Sequence, residues 1–132
     1  MSSGRRDYTW GFLHESSPEG RFVNRWGGII SQEVLAGATT EVYSYELTAG
    51  YKRTINYFSI AGGQGVGNSL QVRINGQYAF FHVFGSNDTI ILPDHNIISW
   101  VKGETLQIKI YNADTVDVMF YGYVMGITET LL

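Results

Sequence analysis

The chain has 132 residues, a formal net charge of −3 and no cysteine. That length suits one domain able to bury roughly 60 to 70% of its unfolded surface, and the charge gives no whole-domain basic field of the kind that draws proteins to nucleic acid or anionic lipid. Without cysteine there is no disulfide framework, thiolate metal site or thiol nucleophile.

No apolar core of signal-peptide type follows Arg5 and Arg6, and no run approaches about 18 continuous apolar residues. The expectation is a soluble protein made in the cytoplasm, with no export signal of its own and no membrane partner. Sixteen glycines, nine tyrosines and seven phenylalanines against two prolines describe short strands and tight turns.

Residues 1–28 come first, with RRDYTWGFLHESS at 5–17 and the loop-forming SSPEG behind it. Arg5, Arg6, Tyr8, Trp10, Phe12, Phe22 and Trp26 are the residue types that anchor interfaces, and the stretch lacks strand alternation and helix signals. It reads as an extended arm that binds a partner, with folding back onto its own domain as the alternative.

From residue 29 to the end, period-two alternation recurs between turns, so 29–132 reads as one domain. The predicted strands are IISQEV (29–34), EVYSYEL (41–47), RTINYFSI (53–60), SLQVRI (69–74), QYAFFHVF (77–84), DTIIL (88–92), NIISWV (96–101), ETLQIKIY (104–111) and VDVMFYGYVMGI (116–127). Asn75-Gly76 is the favoured pair for a two-residue hairpin turn, so the strands on either side of it are expected to pair. GGQGVG (62–67) matches neither GxGxxG nor GxxxxGK[ST] and precedes no helix, which leaves a mobile connection rather than a phosphate cradle. Alternation places Leu70, Val72, Ile74, Leu106, Ile108, Ile110, Val118 and Phe120 in the core of an all-β antiparallel sandwich of about eight strands.

A chemical site is hard to assemble from this chain. His14, His82 and His95 are scattered, without HxH or HExxH spacing, so no metal or other cofactor is expected. Asp94-His95 with a distant Ser99 suggests an acid–base pair, but Pro-Asp-His-Asn is ordinary turn chemistry. Asp88, Asp94, Glu104, Asp114 and Asp117 mostly lie by turns or on outward positions, and the sequence places no two of them across a cleft as a glycosidase requires. Asn112, Asp114 and Asp117 offer too few oxygens for calcium, which takes six to eight. Asn87-Asp88-Thr89 is a glycosylation sequon, read as incidental without a secretion signal. No catalytic residue is assigned and no enzyme is expected.

Two strands are apolar on both faces. In the last, Val116, Val118, Phe120 and Val124 alternate with Met119, Tyr121, Tyr123 and Met125; in QYAFFHVF, Tyr78, Phe80, His82 and Phe84 alternate with Ala79, Phe81 and Val83. An outer face of Tyr, Phe and Met suits a subunit interface, so Met119, Tyr121, Tyr123 and Met125 are the candidate oligomer contact, unless a loop or the arm covers them.

The closing third, VKGETLQIKIYNADTVDVMFYGYVMGITE, resembles the last two strands of jelly-roll modules in virion proteins: a Gly-Glu turn, an alternating strand, an Asn-rich corner and a final strand ending in a hydrophobic-Gly step. VLAGATTEVYSYELTAGYKRTINYFSI is similar to the opening strands of small jelly-roll domains that tailed phages use as decoration (cement) or accessory proteins. The likeness is one of pattern over roughly residues 29 to 129, a rhythm that sugar-binding modules share. It implies a jelly roll on the capsid surface of a virion that binds the major capsid protein or other virion structural proteins and self-associates, a trimer before a dimer. A tail or head–tail junction component has the same fold. The rival from another class is a carbohydrate- or receptor-binding module, with Trp100 or Tyr51 stacking on sugar rings.

Overall fold

A computed structural model describes residues 7–16, 22–48, 50–92 and 98–130, with 7–16, 22 and 130 by backbone alone. The strands are β1 (Asp7–Ser16), β2 (Phe22–Val34), β3 (Thr39–Glu46), β4 (Tyr51–Ala61), β5 (Asn68–Ile74), β6 (Gln77–Phe84), β7 (Asn87–Ile91), β8 (Ile98–Val101), β9 (Thr105–Tyr111) and β10 (Val118–Thr130). There is no helix among the described residues. Every strand expected from alternation is present, and β6 has the predicted bounds.

Two antiparallel sheets face each other. One runs β1-β2-β10-β4-β7, with β8 also on β4, and the other runs β3-β9-β5-β6. Tyr57 of β4 pairs with Ile91 of β7 and Ile55 of β4 pairs with Ile98 of β8, so β7 and β8 lie end to end along one edge of β4. Counted as one interrupted strand, they leave eight strands beyond β1. Their order, β2-β10-β4-β7/β8 over β3-β9-β5-β6, is the double Greek key of a jelly roll.

Leu70 and Val72 of β5, Leu106, Ile108 and Ile110 of β9, and Phe120 and Val124 of β10 are fully buried, as alternation requires, while Ile74 and Val118 pack at the rim of the core. Val116 precedes β10 and is 49% exposed, so it does not belong to the inward row. Asn75 and Gly76 have φ of 51° and 80°, the left-handed pair that a type I′ hairpin turn requires.

The N-terminal boundary needs correction. Trp26, grouped above with the partner-binding arm, is 0% exposed in the domain's own core. Its indole meets Trp100 edge-on at 5.5 Å and its Nε1 donates to the Thr54 carbonyl at 2.9 Å. The inward row of β2 runs Trp26, Gly28, Ile30, and the boundary at residue 28 therefore cuts through a strand. Gly28 hides the continuity because the Tyr43 ring fills the space where its side chain would be. Upstream, the backbone of residues 7–16 is itself a strand, paired from Asp7–Gly28 to Trp10–Arg25 and irregular between Trp10 and Glu15.

Ile108→Ala is expected to cost about 2 to 5 kcal/mol in denaturant unfolding, the range for emptying a buried aliphatic site; a loss below about 0.5 kcal/mol would misassign that face. Gly126→Ala tests a tighter constraint, because a Cβ there would strike the Thr54 carbonyl and crowd Trp26 Nε1. It should cost roughly 1 to 3 kcal/mol, the usual scale of overpacking, and an unchanged midpoint would contradict the close approach.

Candidate functional site

The sequence leaves β10 with more apolar residues than one core can take. β10 lies between β2 and β4, so its inner face is closed by the opposite sheet and its outer face is roofed by nothing among the described residues. Phe120 and Val124 are 0% exposed, whereas Met119, Tyr121 and Tyr123 are 44%, 55% and 41% exposed and Met125 is half-buried. The four candidate contact residues thus share the outer face. Register brings further apolar groups beside them: Ile29 of β2 opposite Tyr123, Tyr57 of β4 opposite Met125, and Ile91 of β7 opposite Tyr57, itself 73% exposed.

Small residues separate these groups, with Ser31 and Ala61 flanking Tyr121 and Ser59 beside Tyr123. The Tyr57 and Tyr123 rings lie 5.7 Å apart, and the hydrogen bond between their phenols, followed by the electrostatic effect of Tyr57, raises the Tyr123 pKa above the ordinary tyrosine value. Among the described residues charge lies toward the ends of the face, at Glu33 opposite Met119, Arg25 opposite Ile127 and Lys52 opposite Glu129. A hollow of ≈ 590 Å³ lined by Arg25, Asn56, Tyr57, Ile91, Met125 and Ile127 lies toward one end. An apolar centre with aromatic and Met side chains and a charged rim is the anatomy of a protein-binding surface.

The other candidates take different places. The backbone of Tyr8, Trp10 and Phe12 lies in β1 and that of Phe22 begins β2, with side chains outside the described set, while Arg5 and Arg6 lie outside the described residues. Asp94 and His95 also fall outside them, as does the side chain of His14. Trp100, the proposed sugar platform, is 1% exposed and belongs to the core, leaving Tyr51 at 39%. On β6, Tyr78, Phe81 and Val83 are exposed and Phe84 is buried.

The loop 62–67 is anchored in its first half, where the Gly62 amide donates to the Ser86 carbonyl at 2.7 Å, while residues 64–67 are exposed. Asp114, expected at an outward turn position, is buried, and its Oδ2 accepts the Gln64 amide at 3.2 Å. Asn68 Oδ1 accepts the Ala113 amide at 2.7 Å, and Asn112 Nδ2 donates to the carbonyls of Val34 and Val116. Asp117 Oδ1 accepts the Ala36 amide, so the oxygens considered for calcium are divided between separate turns. Sequence reasoning missed this corner, because its contacts join Gln64 and Asn68 to a turn 50 and 45 residues away in the chain, although Asn and Asp side chains are the usual means of satisfying irregular backbone. No group of three or more His, Cys, Asp or Glu able to hold a metal occurs among the described residues. His82 Nε2 meets Asp88 Oδ2 at 2.8 Å, joining β6 of one sheet to β7 of the other.

No protein-family model matches the chain, and no curated protein sequence does. Among solved structures it is similar to the CBM36-1 domain of a multidomain xylanase from the hindgut metagenome of Trinervitermes trinervoides, at 10% identity and a TM-score of 0.45 over 93% of this chain and 96% of that one. It is also similar to the VP2 subviral particle of infectious bursal disease virus, at 11% identity and a TM-score of 0.43 over 97% of this chain and 36% of that one. Dimeric latent PorU from Porphyromonas gingivalis matches at 14% identity and a TM-score of 0.43, over 76% of this chain and 11% of its own. The chain thus spans about a tenth of PorU and about a third of VP2. Viral capsid proteins and carbohydrate-binding modules both occur among these neighbours, and such low scores do not choose between them. The jelly roll itself rests on the strand order.

Melting with and without a chelator is expected to give a single temperature, because Asp114 Oδ2, Asn112 Oδ1 and Asp117 Oδ1 already accept backbone amides and the unpartnered Asp114 Oδ1 is one oxygen where calcium takes six to eight. A drop of several degrees on chelation would place a cation at Asp114.

Proposed function

We propose that the protein is a non-enzymatic structural component of a virion, a decoration or cement protein that binds and stabilises a phage head shell. The observation that carries this reading is the outer face of β10, where Met119, Tyr121 and Tyr123 stay exposed on a sheet whose other face is already filled. A surface of that composition works by adhesion. The resemblance of residues 29 to 129 to phage decoration modules supplies the setting.

In this reading the β10 face is a contact between copies around a closed symmetry axis, a trimer before a dimer. The major capsid protein or another virion protein is the second partner, reached through Arg5, Arg6, Tyr8, Trp10 and Phe12, whose residue types are those of interface anchors. Binding only to the assembled shell stabilises it by mass action. The protein then acts at the capsid surface after synthesis in the host cytoplasm. A carbohydrate-binding module is the second reading, favoured by the half-buried Tyr57 ring at the hollow beside Asn56 and Arg25 and by the exposed Tyr121 and Tyr123 rings along the same face.

Tyr121→Glu separates an adhesive face from an idle one. It puts a carboxylate into the dry contact, where an unpaired charge is heavily penalised, at a position 55% exposed in the single chain. The variant should sediment at a smaller mass than the wild type, with its β spectrum unchanged, whereas a wild-type chain already monomeric at tens of micromolar would contradict the contact. Binding to purified phage shells set against a glycan array decides between the two functions, and capture by glycan alone would refute the virion role.

Trp26→Ala distinguishes core from arm. It should destabilise the fold by about 3 to 5 kcal/mol, as for a buried aromatic, while Trp10→Ala should weaken shell attachment by about 2 kcal/mol if that side chain is an anchor. A Trp26→Ala protein of unchanged stability would return that residue to the arm.

A further inference from the structure

The second strand that is apolar on both faces, β6, differs from β10 in its place. It ends the sheet β3-β9-β5-β6 and pairs with β5 alone among the described residues. From Asn68–Phe84 to Val72–Phe80 the pairing is regular, and the one irregularity, between Val72 and Arg73, is confined to the Tyr78 end. Residues 80–84 therefore form a regular run in which alternate amides and carbonyls face away from β5 with no partner strand among the described residues.

The rest of that sheet face shows that the edge is the apolar feature. Across it, Phe81 of β6 leads to Gln71, Lys109 and Glu41, and Tyr78 leads to Arg73, Gln107 and Ser44. Arg73 covers the Tyr78 ring at 4.0 Å, and Gln107 Nε2 donates to Glu41 Oε1 at 2.9 Å, so the face beyond β6 is an ordinary solvated one. Phe81 and Val83, at 55% and 57% exposure, stand at its margin.

Sheet edges are ordinarily protected by charge, brevity or cover. The other edge strands follow this rule: β1 carries Asp7 and Glu15, β3 carries Glu41 and Glu46, β7 carries Asp88, and β8 has 4 residues. β6 has 8 residues and no Asp, Glu, Lys or Arg, and its His82 is turned to Asp88 of β7.

We infer that β6 is a second interaction surface, which pairs edge to edge and antiparallel with β6 of another copy across a twofold axis. A row of free backbone groups is matched only by another strand, and an uncharged strand meets its own copy without opposing like charges. Phe81 and Val83 of the two copies then lie side by side and shield the new hydrogen bonds from water. The contact is independent of the β10 face, which belongs to the other sheet, and of the virion reading.

The test is hydrogen exchange on the full chain, read over residues 80–84 across a dilution series, with the double variant Phe81→Lys, Val83→Lys as comparison. Both positions are exposed, and an unchanged circular dichroism spectrum verifies that the variant folds. The amides turned away from β5 should be protected at high concentration, with protection falling by roughly tenfold or more on dilution and in the double variant, as mass action on a dimer requires. Tyr121→Glu should leave that protection in place. Rapid exchange at every concentration, or protection that survives Phe81→Lys, Val83→Lys, overturns the edge pairing. A wild-type mass that ignores Tyr121→Glu while β6 protection follows concentration removes the β10 contact and leaves this one standing.

Discussion

A β-strand has two faces, and β10 has committed only one of them. Phe120 and Val124 close the core against the opposite sheet, Phe120 meeting Phe84 edge-on at 6.0 Å, and the same alternation fixes Met119, Tyr121 and Tyr123 on the other side. A slip of one residue would exchange the two sets, and neither set is polar. Hydrophobicity alone therefore does not hold the register; shape does. Gly122 and Gly126 lie where β4 backbone approaches so closely that a Cβ would strike the carbonyls of Ser59 and Thr54, and shifting β10 would bring a tyrosine or methionine into those gaps.

Around that strand the domain is fastened at both ends. At one, Arg53 is buried with its guanidinium 4.8 Å from the Trp26 ring and 4.7 Å from Tyr45, and its Nε donates to Thr128 Oγ1 at 3.1 Å. Those contacts join β2, β3, β4 and β10 across both sheets. At the other, Asn112, Asp114 and Asn68 satisfy the backbone of the connections that enter β5 and β10. The outer face of β10 is thus presented by a rigid scaffold, which lowers the conformational entropy lost when a partner binds it.

The sequence made some of this plain and concealed the rest for identifiable reasons. SLQVRI and TLQIKIY alternate apolar with polar, so β5 and β9 declare both their strand character and their inner face, and Asn75-Gly76 declares the hairpin between β5 and β6. β2 was legible only from Ile29, because Gly27 and Gly28 carry no hydropathic signal and Gly28 is buried beneath Tyr43. Trp26 then looked like an exposed anchor, and Trp100 like a sugar platform, since composition cannot tell a tryptophan that fills a core from one that meets a ligand. Asp114 was invisible for the converse reason. A buried carboxylate that accepts the amide of Gln64, some 50 residues away in the chain, has no local sequence mark.

The account stands or falls on whether the outer face of β10 is covered in the working protein. Oxidative footprinting of wild-type protein reads this directly, because Met119, 44% exposed in the single chain, converts to the sulfoxide at a rate that follows access. At tens of micromolar Met119 should be protected, and dilution should release it together with a fall in sedimenting mass. Equal oxidation of Met119 at every concentration, in free protein and in protein bound to shells alike, would mean that nothing docks on this face.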